Sequence, residues 1–161
     1  MSITKLLSKT LKHLLILTML ASCGSPNSDE KKDSSTQKIN TKFVFDVPSL
    51  IGKNIDEIRK VLGKPSENEI EPTKLQMKMK FDSWDNSFDK EGRTLYVTFN
   101  PQNRQVIDFF IGTTDASGST SDYSDLFQIC NVTNDDSNYT IEPVPTIKDN
   151  SKYTGIKIVV K

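Results

Sequence analysis

Thr94-Leu95-Tyr96-Val97-Thr98-Phe99, then Asn100-Pro101-Gln102-Asn103, then Val106 to Ile111, is the stretch that decides the fold. Leu95, Val97 and Phe99 alternate with Thr94, Tyr96 and Thr98, the period of a strand that buries one face. Asn100 to Asn103 carry turn chemistry, because Asn side chains bond their own backbone and Pro presets φ. A run that alternates, turns and resumes as an apolar run predicts an antiparallel hairpin.

The sequence extends this sheet on both sides. Upstream, Leu75, Met77, Met79 and Phe81 alternate with Gln76, Lys78 and Lys80, which predicts another half-buried strand. Before it lies a well-punctuated helix. Asn54 caps it, Glu57 stands where a capping box wants it, and Ile55, Ile58, Val61 and Leu62 form one apolar stripe. Gly63 suits the left-handed position after the helix and Pro65 forbids continuation. Phe43-Val44-Phe45 and Val47-Pro48 form an extended lead-in. Downstream, residues 116–121 are a Gly/Ser-rich loop. Tyr123, Leu126, Phe127 and Cys130 have helical spacing, which predicts a second short helix over 122–130. After the polar turn 134–138, residues 139–146 are extended, and Pro143 and Pro145 confine them to a sheet edge. Ile156, Ile158 and Val160 close the chain as a strand. The expected class is α+β: an antiparallel sheet of about five strands with two short helices packed on it, in the order α-β-β-β-α-β-β.

The N-terminus reads as a targeting segment. Lys5, Lys9 and Lys12 precede the apolar run Leu14 to Leu20, which is far shorter than the ~20 residues of a spanning helix. Leu20-Ala21-Ser22-Cys23 then resembles the bacterial lipobox. The resemblance implies cleavage between Ser22 and Cys23, acylation of Cys23, and a chain held to the membrane by its acyl groups. Each buried CH₂ of such a chain is worth ~0.8 kcal/mol, and two or more chains hold stably. Residues 1–22 are thus expected to be a lipoprotein signal peptide and 42–161 a single globular domain. Residues 23–41, the lipidated cysteine and a tether, contain one sizeable apolar side chain, Ile39, and are too polar to fold. As a flexible coil the tether spans ~25 Å. The expected location is the cell envelope, extracytoplasmic, in the outer membrane if the host is Gram-negative.

Composition narrows the chemistry. The only histidine, His13, lies in the signal segment. The remainder therefore has no imidazole base, no Ser-His or Cys-His nucleophile and few routes to catalytic zinc. Three of the 21 Lys+Arg leave with residues 1–22, giving a net charge of −3 against 21 Asp+Glu. That balance favours neither nucleic acid nor anionic lipid, and no basic stripe offsets it. With Cys23 acylated, Cys130 has no disulfide partner and reads as a buried small hydrophobe. The segment Asp82 to Gly92 is rich in oxygen ligands. Read as an EF-hand loop from Asp85, it has Lys90 where glycine is required and lacks the closing glutamate, so a solvated loop is expected. Asn131-Val132-Thr133 and Asn138-Tyr139-Thr140 match glycosylation acceptors only by common chance. Ile51-Gly52-Lys53 lacks the preceding glycine of a phosphate loop. No cofactor, metal or catalytic residue is expected. Trp84 and Phe88 stand in the acidic segment, either as anchors for a partner or, for Trp84, as a cap on the open end of the sheet.

Gly52-Lys53-Asn54-Ile55-Asp56-Glu57-Ile58-Arg59-Lys60-Val61-Leu62-Gly63-Lys64-Pro65 resembles the opening helix of BamE-like outer-membrane lipoproteins and is similar to domains of the β-lactamase-inhibitor-protein-like fold. The resemblance covers about residues 51–112 and implies a short helix followed by an antiparallel meander. Here Lys53 and Asn54 replace the usual Met and Thr or Ser, and residues 113–161 lie outside the pattern. The functional expectation is a membrane-anchored, non-catalytic module that binds or assembles with another envelope protein. The alternatives are a solute- or cation-binding lipoprotein and a carboxylate-dependent hydrolase.

Overall fold

Five antiparallel strands, β1 (Trp84–Lys90), β2 (Arg93–Phe99), β3 (Val106–Gly112), β4 (Tyr139–Pro145) and β5 (Tyr153–Val160), form one open sheet in the order β1-β2-β3-β5-β4. The structure is a computed structural model and describes residues 42–161. The expected signal segment, Ser22, Cys23 and the expected tether therefore lie outside the described residues. Among the described residues, three short α-helices accompany the sheet: α1 (Ile55–Leu62), α2 (Lys74–Lys78) and α3 (Ser124–Cys130).

The hairpin expected at residues 94–111 forms, with Leu95 opposite Ile111 and Val97 opposite Phe109. Asn100 directs the turn: its side-chain oxygen accepts from the Gln102 and Asn103 backbone N–H groups at 2.9 and 3.1 Å. From β3 the chain crosses through α3 to the outer strand β4, then returns as β5 between them. Pro143 and Pro145 lie in that outer strand, where a missing N–H costs the sheet nothing.

One sheet face carries the core. Phe88, Leu95, Ile111 and Ile156 form one cross-strand row, and Asn86, Val97, Phe109 and Ile158 the next. Apart from Asn86, these join Phe45, Leu50 of a 3₁₀ turn (Val47–Leu50) that replaces the extended end of the lead-in, Ile55 and Ile58 of α1, and Leu126 and Cys130 of α3 in a single buried cluster. Among the described residues this is one continuous cluster. Gly63 ends α1 at φ +94°, and its N–H donates to the Arg59 carbonyl.

Two expectations about strands are corrected, and they offset each other in the strand count. Residues 75–81 are not a strand. Thr73 and Gln76 form a capping box, and Leu75, Gln76, Met77 and Lys78 are good helix formers with no β-branched residue among them, so a helical turn wins over the alternation. Conversely, Trp84 to Lys90 of the expected acidic loop is strand β1. Its alternation was masked by Asn86, a polar residue on the buried face. Glu91 and Gly92, both at positive φ (50° and 73°), make the two-residue turn that matches strand twist in a hairpin. The observed order therefore carries one more α-helix than expected, with the first strand moved downstream.

Candidate functional site

The second face of the sheet is covered by no described element. Ser87, Tyr96, Phe110, Lys157 and Glu142 form a row across all five strands. Asp85, Thr98, Asp108, Val159 and Thr140 form the adjacent row. At the centre the Tyr96 and Phe110 rings meet with centroids 6.1 Å apart and planes at 48°, a tilted geometry favoured by the ring quadrupoles. Tyr96 is 45% exposed.

Glycine holds this arrangement in place. Gly155 pairs with Gly112, and a Cβ on Gly155 would lie 2.1 Å from the Ile111 carbonyl oxygen and 2.8 Å from Cζ of Phe110. No side chain fits there, so the Phe110 ring lies low across the strands. Beside it, Lys157 and Asp108 pair at 3.5 Å, Asp108 being the more buried partner. Asp85, Tyr96, Thr98, Asp108, Phe110 and Lys157 enclose a shallow depression of about 390 Å³. It offers two aromatic faces, one cation and two carboxylates.

A second polar cluster lies between α1 and the first edge strand. Asn86, fully buried, accepts from Arg59 Nε and Nη2 at 2.9 and 2.6 Å. Its amide nitrogen donates to Glu67 Oε1 at 2.7 Å and to the Ile70 carbonyl at 3.0 Å. Arg59 also pairs with Glu71, while Arg104 bridges Asp56 and Glu71. Both guanidinium groups stand over the Phe99 ring, at 5.6 and 5.4 Å from its centroid. Hydrogen bonds from Arg104 hold the Asp56 and Glu71 carboxyls below their usual range, and the same bonds raise Arg104 further. The cluster is internally paired. Its evident work is to pin residues 66–71 against α1 and β1.

Of the residues singled out in the sequence, Phe88 is 2% exposed and belongs to the core. The expectation that it stands in a solvated loop as a candidate anchor is corrected, because β1 directs it to the buried face opposite Leu95. Trp84 shares that face. It is half-buried, packs against the core, and donates its indole N–H to the Glu69 carbonyl at 3.3 Å. Asp89 of the acidic segment accepts from Thr94 Oγ1 at 2.5 Å, and hydrogen bonds from Ser66 and Thr94 lower its pKa. Cys130 is fully buried, and burial pushes its thiol up to about 12, with the Arg93 charge pulling the other way. A thiol held protonated in this way is a poor nucleophile. Arg93 itself is buried, and its Nε and Nη2 have no hydrogen-bond partner among the described residues.

Comparison with known protein families, with curated proteins and with solved structures finds no match to this chain. Sequence reasoning had not singled out Tyr96 and Phe110. Their signal was present: two aromatics on the polar side of strands whose other sides were already committed to the core.

Proposed function

We propose that this chain is a lipid-anchored protein of the bacterial cell envelope whose domain binds another protein and performs no catalysis. The observation that carries the reading is the uncovered sheet face with the Tyr96–Phe110 pair at its centre. Large aromatics on a rigid, exposed surface supply contact area at little entropic expense and are frequent anchors of interfaces. The lipobox at residues 20–23 and the polar tether support the location. The resemblance of residues 51–112 to BamE-like lipoproteins points the same way, toward an assembly or inhibitor role.

Two experiments test it. A fatty-acid probe fed to cells should label the wild-type protein but not Cys23→Ala; an unlabelled wild type would remove the anchor. A photo-crosslinking residue at Thr98, on the open face, should trap one defined neighbour in native membranes. The neighbour should be lost in Tyr96→Ala/Phe110→Ala while the melting temperature changes little. Trapping that persists unchanged in the double variant would remove the aromatic pair as the binding surface.

A further inference from the structure

No residue from Pro72 to Phe81 is buried. Helix α2 buries none of its residues. Leu75, Met79 and Phe81 are 68%, 64% and 42% exposed. A helix of five residues does not hold in water by propensity alone. This one is held by its ends. Upstream, Glu71 is gripped by Arg59 and Arg104. Downstream, the Phe81 carbonyl accepts from Gln102 Nε2 at 2.8 Å. Between these fixed points the chain projects apolar side chains outward.

The charge of the segment is as uneven as its burial. Residues 72–81 contain Lys74, Lys78 and Lys80 and no carboxylate. None of the three lysines forms an ion pair with a described residue. Lys74 and Lys78 lie one turn apart, as do Leu75 and Met79, so a cationic row runs beside an apolar one. Glu69 and Asp85 line a shallow depression together with Phe81. The net charge of −3 conceals this local concentration of positive charge, which corrects the expectation that the chain has no basic stripe.

We propose that residues 74–81 are a membrane-contact element, which seats Leu75, Met79 and Phe81 at the interface of an anionic bilayer with Lys74, Lys78 and Lys80 among the phosphates. An apolar row edged by lysines is the chemistry that anionic lipid surfaces recognise. The choice of a bilayer over another surface rests on the lipobox reading, which places a membrane within the ~25 Å span of the tether. The contact restrains how the tethered domain faces its membrane and leaves the open sheet face for a partner.

The test uses the unacylated chain from Gly24 onward, which carries every residue of the buried cluster described above, so that acyl groups contribute nothing; its melting curve is recorded first. Sedimentation with phosphatidylglycerol/phosphatidylcholine vesicles is compared with phosphatidylcholine vesicles alone. The chain should partition at least ten-fold better into the anionic vesicles, and less so as salt is raised. Each lysine near such a surface is worth roughly five-fold, so Lys74→Gln/Lys78→Gln/Lys80→Gln should lose roughly 100-fold. Leu75→Ser/Met79→Ser should lose at least ten-fold, with melting curves of both variants unchanged. Absence of binding to anionic vesicles, or equal binding by all three chains, overturns the proposal. So does binding that requires an added host protein. Fatty-acid labelling decides the anchor separately, so a failure here is distinguishable from a failure of that reading.

Discussion

Helices α1 and α2 begin alike and end up in opposite circumstances. Each starts with a complete capping box, Asn54 with Glu57 and Thr73 with Gln76. Yet α1 sends Ile55 and Ile58 into the core, and its Arg59 reaches across to the buried Asn86. By contrast, α2 buries nothing. Caps fix where a helix starts; they do not decide whether it is held. Burial and long-range bonds made by the helix's own side chains decide that, and of these two helices only α1 has them; α2 is held from outside, at its ends.

The sharpest way to break the comparison is to truncate an apolar residue in each helix. Ile58→Ala should cost ~2–5 kcal/mol in urea unfolding, through lost transfer energy and the cavity left behind. Leu75→Ala should change stability by less than ~0.5 kcal/mol. Similar losses from both would mean that α2 has a buried contact after all.

Next comes the polar grip. Arg59→Met should cost ~2–3 kcal/mol, because it strips charged donors from the Asn86 side chain and the Ile70 carbonyl. Adding Asn86→Leu should recover part of the loss, since removing both members leaves fewer unpaired groups. A strictly additive double variant would show that the two do not act as a unit.

Acid should separate the regions more gently. The folded pKa values of Asp56 and Glu71 lie below their ordinary values of 3.8 and 4.5, so their contribution is complete above those values. It is lost as the pH falls through the depressed folded values, because the unfolded chain then binds more protons. Stability attributable to this pair should be flat from neutral pH down to about pH 5 and decline below roughly pH 4. Glu71→Gln should flatten that decline. A decline of the same steepness in Glu71→Gln would place the acid sensitivity elsewhere.

The smallest effect belongs to the end of α2. Lys80 sits at φ +54°, in the left-handed region that glycine fills more easily after a helix. Lys80→Gly should therefore raise stability slightly, by about 0.5 kcal/mol, or leave it unchanged. A clear loss in the melting temperature would mean that Lys80 makes a contact that matters to the fold.

The same contrast explains what the sequence could reveal. The β2–β3 hairpin and α1 were legible because their alternation, caps and turn residues all agreed on one structure. The 74–90 stretch was not, because its signals conflicted. Leu75, Met77, Met79 and Phe81 alternate like a strand, yet the Thr73–Gln76 cap and the helix-forming residues between them tip the balance. Trp84, Asn86 and Phe88 alternate as well, but Asn86 in the middle reads as surface until its partners Arg59, Glu67 and Ile70 are brought to it by folding. Ligation of a buried amide by residues 16 to 27 positions away has no local signature. The aromatic pair of the open face was hidden for a related reason. Tyr96 and Phe110 are neighbours only through the register of two strands, and the Gly155 that makes room for the ring is 45 positions further on.

Trp84 is the chain's one tryptophan, and its indole N–H is bonded to the Glu69 carbonyl within the segment that Arg59 and Arg104 hold down. The domain thus has a built-in optical gauge at the seam between its best-held and least-held parts. If residues 66–71 detach before the core opens, the emission of that single indole shifts at a lower denaturant concentration than the far-ultraviolet dichroism of the sheet. If they leave together, the two traces superimpose. An unlabelled wild-type sample is therefore enough to time the release of one short segment against the melting of the whole sheet.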